Sequence, residues 1–150
     1  MKLKIPPPIV TFVFAGLLYL LARYLPVGNF DFYGRNILVY IVFGIGFLMM
    51  MIALLQFLKK KTTTNPFNPE KATRLVSSGI FKYTRNPMYL AMLLFLIAFA
   101  LKLGNAFNTL VLAGFVYYMN HFQIKQEEEA LLKLFGKEYN LYMKATRRWF

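Results

Sequence analysis

The sequence contains no cysteine and a single histidine. Without cysteine, no disulfide framework, thiolate nucleophile or cysteine-ligated metal can form, and one histidine excludes a histidine-rich metal site. Acidic residues are also scarce, with six against eighteen lysines and arginines. These absences predict that the protein has no metal site and that any acid–base chemistry depends on few carboxylates.

Charge and hydropathy set the chain apart from soluble domains. Of its 150 residues, 16% are charged and 58% hydrophobic, whereas typical soluble chains carry roughly 25% charged residues. A domain of this size leaves much of its surface exposed, so this many apolar side chains require lipid around part of it. The net charge of +12 could suggest nucleic acid, but the charges lie between long uncharged stretches. We therefore expect anionic lipid headgroups as partners and no nucleic acid.

Four apolar stretches predict the architecture. A hydrocarbon core about 30 Å thick requires roughly 20 residues of helix, and unpaired backbone groups are too costly in lipid for other forms. The predicted spans are residues 9–25, 37–58, 87–101 and 103–124. The expected fold is an all-α polytopic membrane helix bundle in one domain over residues 1–150, with an N-terminal hairpin over residues 1–61. Pro6-Pro7-Pro8 interrupts a signal-like start, which favours a retained first span over a cleaved signal.

Lysines and arginines predict the orientation of these spans, because loops rich in positive charge stay in the cytoplasm. With four spans, fifteen positive charges fall on one side and three on the other. Seven of them lie between the second and third spans, and six follow the fourth. The sequence therefore predicts an integral membrane protein with both termini in the cytoplasm.

The loop before the third span carries a candidate anion site. Asn86-Pro87 would start that helix with proline at the first helical position, where its missing N–H costs nothing. A helix N-terminus attracts anions, and the neighbouring Arg85 strengthens the attraction. A carboxylate of a cofactor or substrate could dock there. Alternatively, Pro87 would only start the helix and Arg85 would only help to orient the span in the membrane, with no ligand at this site.

Three consecutive glutamates, residues 127–129, follow the fourth span. Successive helical residues point about 100° apart, so the three cannot all be solvated equally and at least one should face the protein. The segment beyond them is amphipathic, which suits a helix lying along the membrane interface or folding back over the bundle. We expect Gly136 to break this segment into two helices.

Two motifs together resemble a known family. The first motif (residues 75–89) reads Leu75-Val76-Ser77-Ser78-Gly79-Ile80-Phe81 and continues with Arg85-Asn86-Pro87-Met88-Tyr89. The second motif (residues 127–142) consists of Glu127-Glu128, Leu131, Phe135-Gly136, Tyr139 and Tyr142. In this order, joined by a hydrophobic hairpin, they resemble the isoprenylcysteine carboxyl methyltransferase family and, more loosely, the phospholipid N-methyltransferases. The resemblance covers about residues 62–149.

The resemblance implies a cytoplasmic site for S-adenosylmethionine, covered by the loop and by interfacial C-terminal helices. The cofactor-binding residues that it implies are Thr73, Arg74, Leu75, Val76, Phe81, Asn86, Pro87, Met88, Tyr89 and Glu127. Gln123 and His121 are the predicted substrate contacts. Arg85 and Glu128 are the predicted catalytic residues. Arg85 would hold a carboxylate, and Glu128 or a tyrosine would accept a proton if the nucleophile is an amine.

The predicted function is methyl transfer from S-adenosylmethionine to a lipophilic substrate that arrives laterally from the bilayer, such as a carboxylate or thiol lipid of isoprenylcysteine type. Two departures from the family pattern concern the substrate half of the site. Asn86 stands where those enzymes usually have histidine, and Gln123 stands where they place an arginine.

A phospholipid amine methyltransferase is the nearest alternative function. A non-enzymatic membrane scaffold or transporter subunit is the alternative from another class, and the oligomeric state stays open.

Overall fold

The computed structural model describes residues 5–59 and 74–150. In chain order its helices are α1 (Pro7–Tyr24), α2 (Arg35–Lys59), a 3₁₀ turn (Gly79–Lys82), α3 (Pro87–Leu103), α4 (Asn108–Tyr118), a π-helix (Met119–Ile124), α5 (Lys125–Phe135) and α6 (Lys137–Ala145). Within these described residues, β structure is limited to an isolated bridge between Asn29 and Asn105. The predicted all-α class is confirmed.

Two of these helices are long and apolar enough to cross a membrane. The mean hydropathy is 1.4 for α1 and 2.7 for α2, and 17% of each apolar window is buried inside the protein. Their outward side chains include Phe12 and Tyr40, which are 77% and 73% exposed. The core helix of a soluble domain would bury such side chains, so this exposure suits a lipid environment. α3 is a shorter apolar helix.

A glycine turn separates α3 from α4. α3 ends at Leu103 because Gly104 adopts a left-handed conformation with φ of 67°, which favours glycine at a helix end. The carbonyl of Gly104 accepts the N–H of Phe30 at 2.8 Å, which ties this turn to the α1–α2 loop. The predicted start of the fourth helix at residue 103 is wrong. The turn takes up residues 104–107, and the helix begins at Asn108.

α2 and α3 pack closely where Gly46 faces α3. A Cβ at this position would lie 3.1 Å from the Cβ of Leu94 and 3.2 Å from the carbonyl oxygen of Ala91, so the absent side chain lets the two backbones approach. α1 and α4 complete the bundle. Its first apolar cluster consists of the buried residues Val10, Leu18, Tyr89, Met92, Leu96, Ala100, Phe115, Met119 and Ile124.

The second half of the chain folds back toward the start of α3. α4, the π-helix and α5 follow one another without a break. Gly136, with φ of 50°, separates α5 from α6, which confirms the predicted break. Tyr139 and Tyr142 of α6 are buried in a second apolar cluster with Ala53, Val76 and Phe81. The end of the described chain therefore lies beside the first motif.

Candidate functional site

The 3₁₀ turn of the first motif is held against α2 by Gln56. Gly79 has φ of 64°, and a Cβ there would lie 1.9 Å from the side-chain amide of Gln56. With its amide oriented to satisfy both partners, Gln56 donates to the carbonyl of Ser78 at 3.3 Å and accepts the N–H of Ile80 at 3.2 Å. No motif pointed to Gln56, although a glutamine within an otherwise apolar helix was an available signal.

The two motifs meet in an ion pair between the two predicted catalytic residues. Nη2 of Arg85 lies 2.7 Å from Oε1 of Glu128, and the side chains are 10% and 12% exposed. Arg85 also donates from Nη1 to the carbonyl of Met143 at 2.9 Å. In the structure, the carboxylate beside Arg85 is therefore the protein's own Glu128.

Arg148 binds the same carboxylate from the other side. Its Nη2 lies 2.6 Å from Oε2 of Glu128, and its Nε donates to Oε1 at 2.9 Å. This two-point contact is the strong form of an arginine–carboxylate pair, and the hydrogen bond to Glu128 raises the pKa of Arg148. No sequence motif pointed to Arg148, because its partner lies 20 positions away on the other side of the break at Gly136. Both oxygens of Glu128 thus accept from guanidinium groups.

The backbone around Arg148 is also tied to the turn before α3. The carbonyl of Arg148 accepts the hydroxyl of Thr84 and the Nδ2 group of Asn86, both at 3.0 Å. The N–H of Arg85 donates to the carbonyl of Arg147 at 3.0 Å. The predicted cofactor residue Asn86 is therefore in direct contact with the last residues of the chain.

Glu127, beside Glu128 in the chain, has neutral partners. Its Oε1 accepts the hydroxyl of Tyr89 and, at 3.1 Å, the side-chain amide of Gln123. The residue is partly exposed, but its carboxyl group lies deep among protein atoms. Burial raises the pKa of Glu127 to about 7, against the lowering effect of these two hydrogen bonds. Glu127 can therefore gain or lose a proton near neutral pH.

The two predicted substrate contacts have different surroundings on the π-helix. Gln123 is 3% exposed and contacts Glu127. His121 is exposed and stacks on Tyr117, with ring centroids 4.1 Å apart, while its Nδ1 lies 3.0 Å from the carbonyl oxygen of Tyr117. π-helices are frequent at functional sites because they shift the register of an α-helix locally. Here the π-helix carries the residue that orients Glu127.

Several predicted cofactor residues pack together at the start of α3. Pro87 occupies the first turn of α3 and is buried. Val76 and Phe81 are 6% and 5% exposed, and Met88 packs against the same second apolar cluster. The carbonyl of Phe81 accepts the hydroxyl of Tyr142 at 2.7 Å. These side chains hold the first motif and α6 together.

A groove of about 450 Å³ lies between the first motif and α6. It is lined by Leu75, Ser77, Lys82, Glu138, Leu141, Tyr142, Ala145 and Thr146. Its size falls within the range of roughly 300–1,000 Å³ that is typical of small-ligand sites. Leu75 is the predicted cofactor residue in its wall, and Arg74 begins this described segment. Thr73 lies outside the described residues, so its cofactor role stays a prediction.

Comparison with known proteins adds to this geometry. The phospholipid methyltransferase family matches residues 34–138, a stretch that includes α2, the first motif and the glutamates of the second motif. A Haemophilus influenzae protein described as uncharacterized is 45% identical over 62 residues, which are 41% of this chain and 98% of that protein. The family match ends before Arg148 and its neighbours.

Proposed function

This chain belongs to the phospholipid methyltransferase family, and on that premise we propose that it transfers a methyl group from S-adenosylmethionine to a lipophilic acceptor at a membrane surface. One observation carries the proposal, the meeting of the two motifs. Arg85 pairs with Glu128 across 43 positions of sequence, and Tyr89 pairs with Glu127 across 38. Burying carboxylates costs free energy, and a scaffold without a ligand would gain little from two of them at this junction.

Glu127 at this junction, and the groove beside the first motif, which the residues of the junction do not line, suit different chemical groups of the cofactor. The ammonium or a ribose hydroxyl could donate to Glu127, whose own donors are neutral. The apolar walls of the groove, Leu75, Leu141 and Tyr142, could contact the adenine ring. When bound, S-adenosylmethionine supplies a reactive methyl group on its sulfonium. The protein has to align the nucleophile with that methyl group and exclude water.

We place this site at the cytoplasmic surface of a four-span bundle. α3 has 17 residues, at the lower limit of the roughly 17–25 residues that cross a bilayer, and the helix over residues 108–124 would form the fourth span. The loops on the side of the site carry most of the positive charge, which supports a cytoplasmic orientation of both termini. α5 and α6 would then lie at the interface, where a water-soluble cofactor meets a substrate from the bilayer.

The acceptor determines whether the protein needs a base. The carboxylate of an isoprenylcysteine-type substrate is ionised at neutral pH and requires none. An amine has to lose a proton before it attacks, and the buried carboxyl of Glu127, whose donors Tyr89 and Gln123 are neutral, favours this second candidate. Burial raises the pKa of Glu127 to about 7, and in this second candidate Glu127 would accept the proton of the amine instead of binding the cofactor. Both oxygens of Glu128 are held by guanidinium groups, and burial raises the pKa of Tyr139 to about 12, so that hydroxyl keeps its proton.

The experiment that tests the proposal uses the purified protein in detergent. Calorimetry should show binding of S-adenosylmethionine, and incubation with methyl-labelled cofactor and total membrane lipid should give a labelled lipid. A base-labile product identifies a methyl ester, and a base-stable product excludes one and leaves a methylamine or a methyl thioether, which mass spectrometry separates. Absence of cofactor binding by a folded protein would contradict the proposal and favour the scaffold or transporter subunit.

A further inference from the structure

Arg148 is the residue through which the end of the chain contacts both motifs. Its carbonyl accepts hydrogen bonds from Thr84 and Asn86, in and beside the turn that opens α3. Its guanidinium holds both oxygens of Glu128 at 2.6 and 2.9 Å, at the start of α5. Arg148 thus bridges the start of α3 and the start of α5, alongside the direct Arg85–Glu128 and Tyr89–Glu127 contacts.

Both polar contacts and apolar packing hold α5. In this helix, which the structure describes throughout, no residue is fully buried. Leu131 and Phe135, toward its far end, pack against the second apolar cluster. At its first turn, the carboxylates of Glu128 and Glu127 accept hydrogen bonds from Arg85, in the turn before α3, and from Tyr89 of α3. Arg85 and Arg148 therefore hold the carboxylate of Glu128 from two sides.

The adjacent tryptophan anchors the same segment to the bundle. Nε1 of Trp149 donates to Oδ1 of Asn120 in the π-helix at 3.1 Å, and its ring packs against the first apolar cluster. It is the only tryptophan of the sequence. Its fluorescence therefore reports directly whether the segment is docked.

We propose that Arg148 is a positioning residue of the cofactor site, which holds the glutamates of α5 against the turn before α3 through its guanidinium and its carbonyl. This inference rests on the proposed function, since it assumes that S-adenosylmethionine binds at this junction. It goes beyond the family match, which ends at residue 138. Arginine is required because its planar fork reaches both carboxylate oxygens at once, which a lysine ammonium does not.

The test compares Arg148→Gln and Arg148→Lys with Arg147→Gln. Arg147 is the matched control, because it is adjacent, exposed and loses the same charge. For each full-length variant in detergent, calorimetry measures the dissociation constant of S-adenosylmethionine, thermal unfolding measures stability, and the emission maximum of Trp149 measures docking. Initial rates separate the KM for the cofactor from kcat.

We expect Arg148→Gln to raise the dissociation constant and the KM for the cofactor by about tenfold or more, because a charge-assisted contact to a largely buried carboxylate is lost. Trp149 emission should shift to the red, and cofactor should partly reverse the shift. Arg148→Lys should lie between this variant and the wild type, and Arg147→Gln should match the wild type.

Equal affinities of Arg148→Gln and Arg147→Gln would overturn the inference. If Arg148→Gln does not fold, Arg148→Lys tests the inference instead. Wild-type affinity of Arg148→Lys for S-adenosylmethionine would contradict the need for a two-point contact. Weaker binding by Arg148→Lys at an unchanged melting temperature would support that need. Failure of the wild type to bind S-adenosylmethionine would instead contradict the proposed function. The two failures are therefore distinguishable.

Discussion

The hydroxyl of Tyr89, on α3, donates a hydrogen bond to the carboxylate of Glu127, on α5. The two residues lie 38 positions apart, one in each motif. Gln123 donates to the same oxygen at 3.1 Å, so the two hydrogen bonds to Glu127 come from neutral groups. This contact joins two separate motifs of the sequence into one junction.

Replacement of Glu127 by glutamine should weaken cofactor binding more than folding. Glutamine keeps the size of the side chain and an oxygen that accepts from Tyr89, but it removes the charge that would bind an ammonium or hydroxyl. We expect the dissociation constant of S-adenosylmethionine to rise by about tenfold, with no fall in melting temperature. Glu129→Gln at the adjacent exposed position is the control, and an unchanged affinity of Glu127→Gln in calorimetry would remove Glu127 from the cofactor site.

Glu127 also predicts how stability depends on pH. Its pKa rises from an ordinary value of 4.5 to about 7 in the folded protein. Between these values the folded protein retains a proton that the unfolded chain has lost, so the free energy of unfolding falls as the pH rises through this window. The loss should be on the order of 1–3 kcal/mol and should level off above the folded pKa.

The measurement is the melting temperature in detergent across this pH range, for the wild type and for Glu127→Gln. The wild type should lose stability relative to the variant as the pH rises. Curves that stay parallel would show that Glu127 does not titrate in this way.

Replacement of Gly79 by alanine should destabilise the first motif. The added Cβ would lie 1.9 Å from the side-chain amide of Gln56, and φ of +64° is strained for any residue with a Cβ. We expect a loss of about 1–3 kcal/mol, measured as a lower melting temperature. Gly16→Ala is the control, because nothing lies within 4 Å of its added Cβ. Equal melting temperatures of the two variants would contradict the close contact between this turn and α2.

Replacement of Gly46 by leucine should separate α2 from α3. A Cβ at Gly46 would already lie 3.1 Å from Leu94 and from a ring carbon of Phe95, and leucine adds three more carbons. We expect a loss of about 2–3 kcal/mol from this overpacking, measured by thermal unfolding in detergent. Gly44→Leu on the same helix should be tolerated, since a Cβ there has no neighbour within 4 Å. A tolerated Gly46→Leu would show that the two helices do not pack at this position.

The helices were predictable because their causes are local. Long apolar runs predicted α1 and α2, proline at the first helical turn predicted the start of α3, and Gly136 predicted the break between α5 and α6. The start of α4 was wrong by several residues. Lys102, Gly104 and Asn105 interrupt the apolar sequence at this turn, but hydropathy alone does not show where the turn ends and the next helix begins.

The site was predictable in part. The family resemblance selected Arg85, Glu127 and Glu128, and the structure brings all three to one junction. Their roles in binding and catalysis stay predictions. Gln56 and Arg148 carried no motif, because each acts through a contact between segments that are distant in the chain.

The sequence by itself determined that this protein is helical and that its helices carry many apolar side chains suited to lipid. Both properties follow from the order of residues over one or two helical turns, because helical hydrogen bonds and apolar faces are local. Only the tertiary structure decided how the two adjacent glutamates differ. Glu128 lies between two guanidinium groups, whereas Glu127 lies among neutral donors with a pKa near neutrality. That difference arises largely from Arg85, Tyr89 and Arg148, which are distant in the chain, so no local pattern specifies their positions.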